Sequence, residues 1–272
     1  MSTFVLDNGF EANKNDAASL RSLIRHSIIR EYRVVDTQKA IEVYQPLFDT
    51  IFSNVDSASQ CLPIFTTNYD LAIESFCGQQ YSQYELADGM EHDPLLRETF
   101  WNPGTFRWYQ FRDQVRHIAL FKLHGSVNWM RLTSTGRIVQ SLPMYDVIDS
   151  DEYQNTIIYP SGSRVATSQP YLTGYHYFSR CCEHVRVILA IGYSFHDYDA
   201  LASLLKARQV NDDLMLILLS PNAYNVLDTI IRPLGEDTWL WTRSIHGRFG
   251  DPDSQATYLP EIHDCLVRQL QK

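Results

Sequence analysis

The sequence contains little cysteine, and none of it is arranged to hold a structural zinc ion. No two of the five cysteines have the two-residue spacing of a C-x-x-C pair; they are Cys61, Cys77, Cys181, Cys182 and Cys265. Adjacent Cys181 and Cys182 cannot easily bridge each other or share a tetrahedral site. We therefore predict reduced, mostly buried thiols and no metal site.

Long hydrophobic runs are also missing. No apolar stretch approaches the roughly 20 residues that a helix needs to cross a bilayer. The first residues, MSTFVLDNGFEANKND, contain no basic segment followed by an apolar one, the pattern of a secretory signal. We therefore expect a cytoplasmic protein that does not associate with membranes.

Positive charge is in deficit. The chain has 23 lysines and arginines against 32 acidic residues, a formal net charge of −9. Such a balance disfavours a surface that neutralises nucleic-acid phosphates, so no nucleic acid is expected as a partner. Internal repeats and low-complexity tracts are absent, which argues against a solenoid. With 44% hydrophobic residues, residues 1–272 are predicted to form a single domain.

What the sequence does contain is a series of short, nearly continuous apolar runs. They are CLPIF (61–65), IALFKL (118–123), TIIYP (156–160), VRVILAI (185–191) and LMLILL (214–219). Runs of this kind are typical of parallel strands covered on both faces. Residues 185–222 read as a strand, helix and strand, which is a βαβ unit. The prediction is an α/β fold with a Rossmann-like, mostly parallel sheet and helices on both faces.

Helical patterns and two irregular stretches surround these runs. Residues 16–33 and 39–55 have helical spacing, the second being interrupted or begun afresh at Pro46. Residues 74–117 are polar and aromatic, and we predict a small, partly helical inserted subdomain beside the pocket. Residues 131–155 have a hairpin-like turn at Ser134 to Gly136 and suggest a lid or an edge excursion.

Polar groups follow four of the predicted strands directly. Ligands of open α/β sheets bind beyond the carboxyl ends of the strands, which is where these groups would meet. They are Thr66, Thr67, Asn68 and Asp70; His124, Gly125, Ser126 and Asn128; Gly192, Tyr193, Ser194, His196 and Asp197; and Ser220, Pro221 and Asn222.

Each cluster also has a structural interpretation. Asn68 and Asp70 are suited to cap the next helix, and so are Asp197 and Asp199. A lone histidine after a strand, such as His124, is often a hydrogen-bonded structural residue. The sequence Ser-Pro-Asn is by itself a turn. The coincidence of four clusters at one end of the sheet favours a ligand site.

Three of these clusters resemble motifs of the sirtuin-like superfamily, in particular its prokaryotic sirtuin-like domain branch. TTNYD resembles the T-x-N-x-D motif, KLHGSVNW the strand that ends in a catalytic His-Gly, and AIGYSFHDYD the G-Y-S-F-x-D signature. The similarity extends from about Leu62 to Asn225. It implies an NAD glycohydrolase that cleaves the nicotinamide–ribose bond in bacterial antiphage defence, with NAD as substrate and no metal.

The resemblance also implies roles for individual residues. The catalytic set is Asn68, which positions the nicotinamide ribose or the attacking water; His124, a base acting on a ribose hydroxyl; and Asp70, which supports the loop or the carboxamide. The residues that bind NAD are Thr66, Thr67, Gly125, Gly192, Ser194 and Asn222.

The chain departs from the family in two places. The zinc-binding cysteine pairs of sirtuin deacylases are absent, which disfavours a deacylase. The G-A-G-x-S type loop that cradles the NAD phosphates is also absent, its nearest counterpart being FVLDNGFEA, Phe4 to Ala12. The alternative is therefore a catalytically impaired nucleotide-binding sensor or assembly subunit, and an ADP-ribosyl transferase is a further one. A homo-oligomer or a defence-system partner protein is expected.

Overall fold

The computed structural model describes residues 14–54, 61–79, 83–106, 116–141, 152–158, 168–231 and 238–270. Its helices are α1 Lys14–Arg33, α2 Thr37–Asn54, α3 Ala72–Cys77, α4 Tyr171–His184, α5 Tyr198–Val210, α6 Ala223–Ile231, α7 Thr238–Trp241 and α8 Pro252–Leu270. Its strands are β1 Cys61–Thr66, β2 Tyr84–Ala87, β3 Met90–Asp93, β4 Glu98–Trp101, β5 Arg116–Lys122, β6 Trp129–Leu132, β7 Ile138–Gln140, β8 Tyr153–Asn155, β9 Val187–Ile191, β10 Met215–Ser220 and β11 Thr242–His246.

Six parallel strands form the centre of the fold in two groups of three. One group has the order β1-β5-β2 and the other has the order β11-β10-β9. All pairings within both groups are parallel. Four of the five predicted apolar runs are confirmed as strands of these groups, and so is the βαβ unit formed by β9, α5 and β10. β11 was not predicted, because TRSIH contains a single apolar residue, Ile245, and lacks the continuous apolar character of the others.

Both faces of the parallel strands are covered by helices. In β10, Ile217 and Leu219 pack with α2, α3 and α8. The alternate residues Leu216 and Leu218 pack with α4, α5 and α6 on the opposite face. All four side chains are fully buried, and each contributes about 2 kcal/mol through burial. This confirms the predicted α/β fold with helices on both faces.

The run TIIYP is the exception among the predicted strands. Residues 156–158 have no regular secondary structure, and residues 159–160 lie outside the described part of the chain. Pairing occurs just before them, where β8 lies antiparallel to β6. The apolar residues serve another purpose, because Ile157 is buried with Val127 and Ile29, and the Ile158 amide donates to the carbonyl of His124 at 2.9 Å.

Helix α2 continues through Pro46, so the predicted interruption there is wrong. A proline removes the hydrogen bond that its nitrogen would give to the carbonyl four residues earlier, which here is Glu42. That carbonyl accepts instead from Nε2 of Gln255 in α8 at 3.3 Å. The tertiary contact therefore satisfies the group that the proline leaves free.

In its described residues, the aromatic segment 74–117 contains the end of α3, the strands β2, β3 and β4, the start of β5 and one 3-10 turn at Pro103–Phe106, where a small, partly helical subdomain was predicted. β2 belongs to the parallel strands, and β3 and β4 form a hairpin in a second, antiparallel sheet of order β3-β4-β7-β6-β8. The aromatic rings still pack inward, since Phe106 is buried and stacks on Phe121 with centroids 4.2 Å apart. Trp108, Tyr109 and Phe111 lie outside the described residues.

Three smaller expectations are also answered. The turn at Ser134 to Gly136 joins β6 and β7 as an antiparallel hairpin. All five cysteines are free thiols, but only Cys77 and Cys182 are buried, so the expectation of mostly buried thiols is wrong. Among the helices that the structure describes, none is both long and apolar enough to cross a membrane.

Candidate functional site

The candidate site lies at the carboxyl ends of the two groups of parallel strands, where His124, after β5, contacts Asp197, after β9. The groups have the orders β1-β5-β2 and β11-β10-β9, and no strand pairing joins them among the described residues. In open α/β folds, ligands bind in the crevice beyond the carboxyl ends of the strands. Two segments border this crevice: the β1 turn, Thr66–Asp70, and the β9 turn, Gly192–Asp197.

The β1 turn divides its polar side chains between structure and solvent. Thr66 Oγ1 accepts from the Asn68 amide at 3.0 Å. Asp70 Oδ1 accepts from the amide of Ala72, the first residue of α3, at 3.0 Å. Asp70 therefore satisfies the first amide of α3 from the position before the N-cap, which is Leu71 and has no side-chain cap hydrogen bond. The side chain of Asn68 is exposed and makes no hydrogen bond with the described residues, which leaves its amide accessible to a ligand. Thr67 is half-buried beside it.

A buried lysine, Lys122, contacts the backbone of the β1 turn. It was not predicted as a site residue. Lys122 ends β5, with a side chain only 3% exposed, and its Nζ lies 2.9 Å from Glu74 Oε1. It also donates to the backbone carbonyl of Asp70. Burial raises the pKa of Glu74, and Lys122 opposes that increase. The available signal was a lysine inside the apolar run IALFKL, where a charge needs a partner.

His124 and Gly125 form a sharp turn after β5. Gly125 has a φ of +90°, and a Cβ there would lie 2.6 Å from the carbonyl oxygen of Thr156. Only glycine tolerates that geometry without strain. Two residues later, the Val127 amide donates to the Tyr69 carbonyl at 3.0 Å. The His-Gly turn and the β1 turn are therefore neighbours, as the sequence predicted.

The imidazole of His124 forms a polar contact across the crevice with the β9 turn. Its Nε2 lies 3.0 Å from Asp197 Oδ2 and 3.2 Å from Tyr175 Oη. The Tyr175 hydroxyl donates to the same carboxylate oxygen at 2.5 Å. The side chains of His124 and Asp197 are 15% and 14% exposed. The three groups thus form one partly buried network.

The charge state of this network follows from its surroundings. Burial by itself raises the pKa of Asp197, but hydrogen bonds from His124, Tyr175 and the α5 backbone lower it to about 2. Burial and the Asp197 carboxylate raise the pKa of Tyr175 well above its usual range. At neutral pH the carboxylate is therefore ionised and the phenol keeps its proton.

Asp197 is also the N-cap of α5. Its Oδ1 accepts from the amides of Asp199 and Ala200 at 3.1 and 3.2 Å. The sequence predicts the cap but not the imidazole contact, because the contact depends on where β5 lies relative to β9. Tyr175 was missed for the same reason, since it belongs to α4 and no local motif marks it.

The β9 turn contains two residues with left-handed backbone, Gly192 at φ +60° and Phe195 at φ +57°. For phenylalanine this conformation costs about 1–3 kcal/mol, a strain often found at functional sites. The turn buries Phe195 while leaving Gly192 and Ser194 exposed. The Gly192 amide donates to the Leu219 carbonyl at 2.9 Å, which places the β9 turn next to the end of β10.

Asn222 follows β10 at the same end of the sheet. The backbone amide of Asn222 donates to Ser220 Oγ at 3.2 Å, and Asn222 is exposed. Ser220 itself is buried. The predicted site residues thus line one end of the parallel strands, although only His124 contacts the β9 turn through its side chain.

The assembled groups suit acid–base chemistry on a polar ligand. An imidazole that is oriented by a carboxylate can act as a general acid or base. An exposed amide and an exposed hydroxyl can hydrogen-bond to sugar or phosphate oxygens. Within the described ranges, no three His, Cys, Asp or Glu side chains are grouped as metal ligands.

Comparison with known proteins gives one family match. The model of the SIR2-like domain matches residues 63–230. Among solved structures, a serine-to-alanine mutant of a Sir2 homologue in complex with ADP-ribose is 15% identical with a TM-score of 0.49, covering 97% of this chain and 81% of that chain. A histidine-to-asparagine mutant of a Sir2 homologue, also in complex with ADP-ribose, is 16% identical with a TM-score of 0.49, covering 98% and 82%. Among curated proteins, no match is found.

Proposed function

Because the chain belongs to the SIR2-like domain family, we propose that it is an NAD glycohydrolase that cleaves the nicotinamide–ribose bond and acts in bacterial antiphage defence. The observation that carries the proposal is the contact between His124 Nε2 and Asp197 Oδ2 at 3.0 Å. It holds an imidazole at the carboxyl ends of the parallel strands, on the turn next to the β1 turn that carries the exposed amide of Asn68.

The proposed reaction is hydrolysis through an oxocarbenium-like transition state. The bond between the anomeric carbon and the nicotinamide nitrogen breaks, and its electron pair neutralises the pyridinium, so nicotinamide leaves without a charge. Water adds to the anomeric carbon and loses a proton, which gives ADP-ribose. In this scheme His124 accepts the proton of a ribose hydroxyl and later releases it to solvent. The resulting alkoxide accepts the proton that the adding water loses, which restores the hydroxyl, and Asn68 orients the ribose or the water.

The other predicted residues have supporting roles in the proposal. Thr66 and Asp70 hold the shape of the β1 turn through their hydrogen bonds to Asn68 and Ala72, and Thr67 faces the ligand from that turn. Gly125 permits the His-Gly turn. On the side of β9 and β10, the proposed NAD-binding residues are Gly192, Ser194 and Asn222. The hydroxyl of Ser194 and the side-chain amide of Asn222 donate hydrogen bonds to ribose or phosphate oxygens.

The test is turnover of NAD by the purified chain, followed as released nicotinamide and ADP-ribose. His124→Ala is expected to lower turnover by about 10²–10⁴-fold, the usual contribution of a general base. His184→Ala is the matched control, because this exposed imidazole ends α4 at the opposite end of the sheet. The parent and the control should be equally active. An active His124→Ala variant would contradict the proposed site.

A second candidate is a nucleotide-binding sensor or assembly subunit that does not cleave NAD. It is favoured by β1 and β9, each of which has one edge that pairs with no strand among the described residues and could pair with another chain. Pro63 within β1 agrees with an edge strand, to which prolines in sheets are confined. The nearest counterpart of the phosphate-cradling loop, Phe4–Ala12, lies outside the described residues. Calorimetric binding of ADP-ribose by a chain that releases no nicotinamide would favour this candidate.

A further inference from the structure

The two nitrogens of the His124 ring have different environments. Nε2 lies within hydrogen-bonding distance of Asp197 Oδ2 and Tyr175 Oη, at 3.0 and 3.2 Å. Nδ1 forms no hydrogen bond with any residue that the structure describes. The ring is therefore anchored through one nitrogen and open at the other.

The proton on this ring can be placed by counting donors. An ionised carboxylate only accepts hydrogen bonds, and Asp197 Oδ2 already accepts from the Tyr175 hydroxyl at 2.5 Å. The contact between Nε2 and Oδ2 at 3.0 Å consequently requires a proton on Nε2. In a neutral imidazole the lone pair then belongs to Nδ1.

We infer that Asp197 and Tyr175 are positioning residues that hold His124 in the tautomer with its basic lone pair on Nδ1. This inference rests on the proposed function for its catalytic meaning, since the base in question is the one assigned to the ribose hydroxyl. It adds which atom accepts the proton and which side chains select that atom.

The helix cap makes the arrangement rigid. Asp197 Oδ1 accepts from the amides of Asp199 and Ala200, so the carboxylate cannot rotate without losing the N-cap of α5. Its other oxygen, Oδ2, is thereby directed at the imidazole. The start of α5 thus fixes the orientation of the Asp197 carboxylate, and the carboxylate fixes the orientation of the His124 ring.

This geometry makes Asp197→Asn a sharp test. Asparagine caps helices as well as aspartate does, and only its oxygen can accept the two backbone amides. Its NH₂ group would then occupy the place of Oδ2 and donate to Nε2. The ring would carry its proton on Nδ1, the reversed tautomer, and the open lone pair would be lost.

The effect on turnover should be large, and the variant should still fold because asparagine keeps the N-cap of α5. A reversed histidine tautomer lowers kcat by about 10⁴-fold in serine proteases, and we expect a loss of about 10²–10⁴-fold for Asp197→Asn. Tyr175→Phe keeps the ring but removes one donor to Oδ2, so a loss of about tenfold or less is expected. Asp197→Ser is the control for the cap, because serine caps α5 but has no amide to donate to Nε2.

The tautomer itself can be read without substrate. Histidine labelled with ¹⁵N in the ligand-free chain gives a long-range proton–nitrogen spectrum, in which His124→Ala assigns the His124 signals. We expect the His124 ring to be protonated on Nε2 in the parent and on Nδ1 in Asp197→Asn. In Asp197→Ser no side-chain amide donates to Nε2, so the ring is not restricted to the form protonated on Nδ1.

The outcomes separate this inference from the proposed function. A parent ring protonated on Nδ1, or an unchanged tautomer in Asp197→Asn, would overturn the inference whatever the activity. The expected tautomers in a chain that releases no nicotinamide would support the positioning role and reject the NADase. If Asp197→Asn fails to fold, the spectrum of the parent still decides the matter.

Discussion

The β1 turn and the β9 turn contain similar residues and use them differently. Each follows a half-buried parallel strand. Each has an aspartate that accepts from the start of the next helix, Asp70 from one amide and Asp197 from two. The Asp70 side chain forms no further hydrogen bond with the described residues, and the exposed side chain of Asn68 is available to bind a ligand. Asp197 continues to His124 through its second oxygen. In the β1 turn, one residue binds the start of the helix and another is available to the ligand. In the β9 turn, Asp197 both caps the helix and contacts the imidazole.

The largest expected effect separates the exposed side chains of the two turns. Asn68→Ala should lower NAD turnover by about 10²–10³-fold, the cost of losing an amide that acts in the transition state. Ser194→Ala should cost about tenfold or less and appear mainly in KM, because its hydroxyl binds the ground state as well.

Steady-state kinetics on both variants measure this difference. Thermal unfolding is the control, because neither side chain is hydrogen-bonded within the described residues and Tm should not change. A large fall in Tm for Asn68→Ala would indicate a structural role for this residue.

The next effect concerns the glycine in each motif. Gly125→Ala should lower the free energy of unfolding by about 3 kcal/mol, since it adds backbone strain and a clash with the Thr156 carbonyl. Gly192→Ala should cost about 1 kcal/mol, because a Cβ there meets nothing within 4 Å and only the left-handed backbone opposes it. Urea unfolding compares the two, and equal losses would contradict this account.

Acid should weaken the β9 turn selectively. The pKa of Asp197 is lowered to about 2, whereas an unfolded aspartate titrates near 3.9. A lowered pKa stabilises the fold above the unfolded value, and that stabilisation, about 2 kcal/mol, is lost as the pH falls from about 4 towards 2. The stability difference between the parent and Asp197→Asn, measured by urea unfolding, should be constant above pH 5 and shrink below pH 4. A difference independent of pH would show that the carboxylate charge contributes nothing.

The smallest effect tests the hydrogen bond between Asp70, in the β1 turn, and the first amide of α3. Asp70→Ala should lower the free energy of unfolding by about 1 kcal/mol, because the Ala72 amide loses its acceptor. Asp70→Asn should retain both stability and turnover, since asparagine supplies the same acceptor. Loss of turnover in Asp70→Asn with unchanged stability would give the Asp70 charge a direct catalytic role.

Much of this protein could be derived from local sequence. Continuous apolar runs predicted four of the parallel strands, because a strand buried on both faces has no position for a polar side chain. Polar residues directly after those runs predicted the end of the sheet where the site lies. Asn68, His124 and Asp197 were all visible there, since local hydrogen-bonding chemistry selects such residues at strand ends and helix starts.

Tertiary structure decided which of these residues act together. The contact of His124 with Asp197 and Tyr175 joins β5, α5 and α4, and no spacing in the sequence encodes the distance between them. The burial of Lys122 under the β1 turn and the hydrogen bond from Gln255 that keeps α2 continuous at Pro46 are of the same kind. Local sequence determines what each segment can donate, accept or bury, whereas packing of distant segments determines which donor meets which acceptor.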